Sequence, residues 1–140
     1  MDTIELKSKI RKGSKNQTER EFQDFIVNGK SLFEIFGEPD LVGTIGSFGK
    51  EVNIEAVNLL LLKKYSELKS KRIPIYICPE CGDLGCGAIT ISIVKKDKSF
   101  IWSSFGYENN YQDELLEEFK EVGPFKFQKE EYLNLFKKFV

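Results

Sequence analysis

Apolar and polar residues alternate from Thr3 to Ile10, with Ile4, Leu6, Ser8 and Ile10 set against Thr3, Glu5, Lys7 and Lys9. A period of two predicts a half-buried strand. Residues 11–20 are polar and read as a long hairpin loop, and Phe22, Phe25 and Val27 mark a second strand over Glu21–Val27. Asn28 and Gly29 both tolerate positive φ, which predicts a tight turn. Ser31 is placed to cap a short helix over Leu32–Phe36, and Gly37 to end it. The period then lengthens. Ile54, Val57, Leu61, Tyr65 and Leu68 recur at three and four, which predicts the main helix over Asn53–Leu68.

Beyond that helix the period shortens again. Ile73–Ile77 is an apolar run whose Pro74 suits the start of a strand or a sheet edge. Ala88–Val94 and Ser99–Phe105 read as a hairpin around Lys95–Lys98, with Thr90 and Ser92 facing away from Ile89, Ile91 and Ile93. Glu108–Gln112 reads as a loop. Asp113–Val122 predicts a helix stopped by Gly123 and Pro124, Phe125–Phe127 a short strand, and Glu130–Phe139 a last amphipathic helix. The sum is one α+β domain. A largely antiparallel sheet of five or six strands carries Asn53–Leu68 on one face, and two helices near the C-terminus pack on it.

Composition removes several function classes. With 140 residues, 41% hydrophobic and 31% charged, the chain can bury a core without disulfides. The formal charge of −1 supplies no basic field for nucleic acid or a membrane surface. No apolar run approaches the ~18 residues of a membrane span, and no signal-peptide core opens the sequence, so a cytoplasmic location is expected. Three cysteines do not pair into a secreted disulfide framework. Histidine is absent. Ser-His-Asp and Cys-His catalysis, a histidine base and histidine-ligated zinc are therefore excluded within one chain. Gly43, Gly46 and Gly49 are spaced by three but match neither a dinucleotide fingerprint nor a P-loop.

Chemistry concentrates in two segments. Cys78-Pro79-Glu80-Cys81 followed by Cys86 spaces its thiols as C-x2-C-x4-C. Such a turn can converge thiolates on a soft cation, and Cys78, Cys81 and Cys86 are the candidate zinc ligands. A fourth ligand would come from Asp83, Glu80, water or a second chain. Two other readings stand beside it: reduced thiols packed as small apolar residues, or redox use of Cys78 and Cys81. The second segment is aromatic, amide-rich and then acidic. Trp102 and Phe105 read as core by strand alternation. Tyr107, Glu108, Asn109, Asn110 and Tyr111 suit a recognition surface, because tyrosines give contact area and amides adaptable hydrogen bonds. Asp113, Glu114, Glu117, Glu118 and Glu121 continue it, with Lys120 the one base between Glu108 and Glu121. Such a run is either a solvated face or a docking face for a basic partner.

The cysteine segment, together with Phe105-Gly106-Tyr107-Glu108-Asn109-Asn110-Tyr111 and Gly123-Pro124-Phe125, resembles a family of short, poorly characterised bacterial proteins. Some of its members carry an oxidoreductase label, for which this chain has no cofactor fingerprint. By analogy with other small bacterial proteins, the resemblance implies an immunity partner of a secreted toxin. The expectation is a non-catalytic binding protein without a cofactor. Its partner is a protein, a basic toxin domain, rather than nucleic acid or membrane. The alternatives are a small zinc-binding protein and a thiol oxidoreductase.

Overall fold

Asn28 and Gly29 adopt φ of 53° and 79°, and the two-residue turn they form fixes the first sheet. In the computed structural model, which describes residues 1–11, 19–68, 70–79, 87–108, 119 and 121–139, the turn joins β2 (Arg20–Val27) to β3 (Lys30–Ser31). β1 (Ile4–Arg11) runs antiparallel to β2 along its whole length, from Ile4 opposite Val27 to Arg11 opposite Arg20. This ladder contains no bulge.

The second sheet has five strands in the order β4 (Val42–Gly43), β5 (Ile73–Ile77), β6 (Ala88–Lys96), β7 (Ser99–Glu108) and β8 (Phe125–Gln128), every neighbour antiparallel. It is irregular in two places. The β5–β6 register shifts between Pro74 and Tyr76, and the β6–β7 register shifts opposite Thr90–Ser92. On β7 the extra residue falls at Ser104, whose φ is +56°. An inserted residue changes which side of the strand the following side chains occupy. Trp102 before the bulge and Phe105 after it are therefore both fully buried, although three positions separate them.

The two sheets meet at both sides. At one seam, Asp2 bridges Phe127 in parallel sense and its N–H donates to the Lys126 carbonyl at 3.0 Å. At the other, the Gln23 N–H donates to the Ile45 carbonyl at 2.9 Å. Gly43 permits this approach, since a Cβ there would lie 2.6 Å from the Gln23 carbonyl oxygen. The strands thus curl around one continuous core. The α+β class and the antiparallel arrangement are as the hydrophobic pattern predicts, with the strands divided between two sheets.

Among the described residues three helices accompany them: α1 (Leu32–Ile35), α2 (Lys50–Leu60) and α3 (Lys129–Lys137). Ser31 caps α1 as expected, accepting from the Glu34 N–H at 3.1 Å. The predicted helix over Asn53–Leu68 is corrected at both ends. It begins at Lys50 and stops at Leu60, because Leu62 turns left-handed at φ +61°. The Lys63 N–H then reaches back to the Asn58 carbonyl and the Leu62 N–H to Leu59, which satisfies the helix end. Tyr65, assigned by periodicity to the buried stripe, is 87% exposed. The expected helix over Asp113–Val122 falls mostly outside the described residues.

Aromatic rings fill the centre. Trp102, Tyr76, Tyr132, Phe25 and Phe136 are all fully buried. The Trp102 indole N–H donates to the Tyr132 hydroxyl at 3.0 Å, and that hydroxyl donates to the Leu60 carbonyl at 2.7 Å. One chain of bonds so ties β7 to α3 and to the end of α2, and leaves neither polar tip unpaired.

Candidate functional site at one end of the large sheet

Four strands bring one end of the large sheet into line. Val42 pairs with Ile77, Ile77 with Ala88, and Ala88 with Glu108. Cys78 follows Ile77 directly, and Gly87 precedes Ala88, so the cysteine loop leaves and returns at this end. The aromatic and acidic segment departs from it too, after Glu108. Strand register alone places the described ends of two stretches, distant in sequence, at one end of this sheet.

Cys78 is half-buried and packs against the core. Cys81 and Cys86 lie outside the described residues, as do Glu80 and Asp83. Among the described residues no group of three or more metal-ligating side chains comes together. At the base of the loop, Gly87 has φ +118°, and the phenol of Tyr107 occupies the space where a Cβ would stand. A side chain at position 87 would meet both a strained backbone and a ring. Tyr107 is half-buried, opposite Ile89, and closes the base of the loop.

The reading of Glu108 as an exposed docking residue is corrected. Its side chain is 8% exposed, and its carboxylate lies 3.6 Å from Arg72 Nε. Ser70 Oγ sits 3.0 Å from both carboxylate oxygens. The physical reason is the face it occupies. Glu108 shares the polar side of the β6–β7 hairpin with Thr90 and Ser92, where Arg72 also lies. Asn109, Asn110, Tyr111, Asp113, Glu114, Glu117 and Glu118 fall outside the described residues. Glu121 is exposed, just before the turn at Gly123–Pro124. Phe119 anchors this part of the chain through ring contact with Phe36, centroids 4.8 Å apart.

Sequence reasoning missed two buried polar clusters. Arg72, which follows Lys69 and Lys71 in the sequence, is 6% exposed. Its Nε donates to Thr90 Oγ1 at 2.9 Å, Nη1 to Ser92 Oγ at 3.2 Å, and Nη2 to the Thr90 carbonyl at 2.8 Å and to the Ser104 carbonyl. The signal available was two hydroxyls, Thr90 and Ser92, alternating within an otherwise apolar strand. The second cluster centres on Asp24, fully buried between Phe22 and Phe25. Its carboxylate accepts from the Tyr76 hydroxyl and from Ser31 Oγ, each at 2.5 Å, with Lys9 Nζ 3.6 Å away. Burial pushes the Tyr76 phenol well above its ordinary range, and the Asp24 charge pushes it further. Lone polar residues in apolar runs, Asp24 and Tyr76, were the signal here.

Both clusters are internally bonded. Each joins side chains from different strands. Among the described residues no helix is long and apolar enough to cross a membrane. Comparison with protein-family models, with curated proteins and with solved structures gives no match.

Proposed function

We propose that the protein is a non-catalytic bacterial binding protein, an immunity protein that neutralises a basic toxin domain by covering it. The observation that carries this reading is the register from Ile77 through Ala88 to Glu108. It sends the two most distinctive segments of the chain out from the same end of the sheet. Tyr107, Asn109, Asn110, Tyr111, Asp113, Glu114, Glu117, Glu118 and Glu121 form the docking surface in this reading, and Glu108 supports it from beneath. Acids facing a basic partner speed encounter and disfavour other partners. The buried ionisable groups support the same view, since Asp24, Arg72 and Glu108 are engaged in internal bonds. The test is co-expression with a basic toxin domain encoded beside this gene. Cells should survive with the wild-type protein and die with the Glu114→Lys, Glu117→Lys, Glu118→Lys variant. Equal survival with both, or none with either, would remove the proposal.

A second reading is favoured by one observation. Pairing of Ile77 with Ala88 sets Cys78 across from Gly87, the sequence neighbour of Cys86. Zinc held by Cys78, Cys81 and Cys86, with a fourth ligand from Asp83, Glu80, water or a second chain, would then staple the loop. Metal analysis after mild purification should find stoichiometric zinc, and Cys81→Ser should lose both the metal and several degrees of Tm. A metal-free protein with unchanged stability in Cys81→Ser rules the staple out.

A further inference from the structure

We propose that Asn28 is a site of spontaneous deamidation: its side-chain amide is lost to the backbone nitrogen of Gly29, and the aspartate or isoaspartate left behind unfastens the Asp2 seam between the two sheets. The co-reactant is water and the leaving group is ammonia. Nothing in this depends on the acidic surface above.

Asn28 is the one asparagine of the chain that a glycine follows. Both residues are exposed, and no atom lies within 4 Å of where a Gly29 Cβ would stand. The glycine serves the turn, since it adopts positive φ without steric cost. Its missing side chain also leaves its own nitrogen open to Cγ of Asn28. With the Gly29 N–H deprotonated, that nitrogen attacks Cγ. A C–N bond forms, the Cγ–Nδ2 bond breaks, and Nδ2 leaves as ammonia after taking up a proton. Water then opens the cyclic imide. Cleavage at Cγ leaves aspartate at position 28. Cleavage at the main-chain carbonyl leaves isoaspartate, with the backbone rerouted through Cγ.

The fold holds this amide at both ends. Asn28 Oδ1 accepts from the Thr3 N–H at 2.9 Å, and Nδ2 donates to Asp2 Oδ1 at 2.9 Å. The other Asp2 oxygen accepts from the Lys126 N–H at 2.7 Å. One carboxylate therefore joins the turn of the small sheet to β8 of the large one, beside the backbone bond from Asp2 to Lys126. While both side-chain bonds stand, the amide is not free to rotate onto the Gly29 nitrogen. The reaction draws on the fraction of molecules in which they are broken. A hydrogen bond to a charged acceptor lowers that fraction about tenfold or more. The product does not restore the bond. Aspartate at 28 has no N–H for Asp2 and sets one carboxylate against another, which repel. Isoaspartate does the same and lengthens the turn.

The test ages the protein in warm, mildly alkaline buffer and follows each asparagine by peptide mass spectrometry. Deamidation should appear at Asn28 ahead of Asn53 and Asn58 on α2. Asp2→Ala should raise the rate at Asn28 about tenfold and leave Asn53 and Asn58 unchanged. Asn28→Asp, made directly, should speed amide exchange at Asp2 and Lys126 about tenfold, with the amides of the β6–β7 hairpin unchanged. If either variant does not fold, the order of the three asparagines in the aged wild type decides. An Asn28 no faster than Asn53 and Asn58, an unchanged rate in Asp2→Ala, a rate that rises at all three together, or unaltered exchange at Asp2 and Lys126 in Asn28→Asp would each overturn the proposal.

Discussion

Asp24 and Arg72 are both buried charges, and the sheets around them treat them in opposite ways. Asp24 lies in the β1–β2 ladder, where register is unbroken. Its partners are all side chains: Tyr76, Ser31 and Lys9. Arg72 stands where the second sheet is broken, beside the shifts in β5 and β7. Bulges leave carbonyls without ladder partners. The guanidinium, with five N–H donors in a rigid fork, takes the Thr90 and Ser104 carbonyls and still reaches Thr90 Oγ1 and Ser92 Oγ. A regular ladder thus imports side chains to satisfy a buried acid. An irregular one imports a buried base to satisfy itself.

That contrast can be broken most severely at Arg72. Arg72→Met strands the Glu108 carboxylate and two carbonyls, and should cost about 3–5 kcal/mol of unfolding free energy in a denaturant titration. Adding Glu108→Leu should return part of that loss, and Arg72→Lys should not, because one ammonium cannot replace the fork. If the single change costs less than about 1 kcal/mol, the guanidinium is not what holds the bulges. The regular side should be less sensitive. Tyr76→Phe removes one donor to the Asp24 carboxylate and should cost about 1.5–3 kcal/mol.

Alkali probes the same residue differently. Burial raises the phenols of both Tyr76 and Tyr132, so the unfolded chain loses those protons first. Their contribution is complete below the ordinary tyrosine value of 10.0 and is lost as pH climbs beyond it. Thermal melts should hold steady up to about pH 10 and fall above it, and Tyr76→Phe should flatten that fall. Smaller still is Ser104→Gly. Relief of a left-handed serine (~1–2 kcal/mol), set against the greater freedom of unfolded glycine, should leave a gain of about 0.5–1 kcal/mol. The smallest effect is expected at Asp2, whose carboxyl is held below its ordinary value by the Lys126 N–H and then by the Asn28 amide. Its contribution is present above pH 3.8 and disappears as pH falls through the lower folded value. Asp2→Asn should therefore differ from wild type near neutrality and converge with it in acid.

The two short-range helix stops explain how far the sequence could be read. α1 ends with Gly37 at φ +81°, and α2 ends by the same pattern of backward hydrogen bonds with Leu62 at φ +61°. Glycine announces that conformation and leucine does not, so the end of α1 was legible and the end of α2 was read eight residues late. Strand alternation gave β1, β2 and the β6–β7 hairpin, because a period of two survives wherever one face is buried. The bulge at Ser104 was invisible, since a shift in parity looks like a shift in composition. The inward turn of Glu108 was hidden for the same reason that Arg72 was: a charge reads as surface until its partner is known. Only register, a long-range property, brings Ile77, Ala88 and Glu108 side by side.

The seams at Asp2 and Gln23 have a mechanical consequence. Among the described residues each joins the sheets through a single backbone hydrogen bond rather than a ladder, at Lys126 and at Ile45. The small sheet is thus a panel held by its core contacts and the Tyr76–Asp24 bond, with a backbone clasp at each side. Amide exchange at Asp2 and Gln23 should report the panel swinging free well before the strands within either sheet come apart.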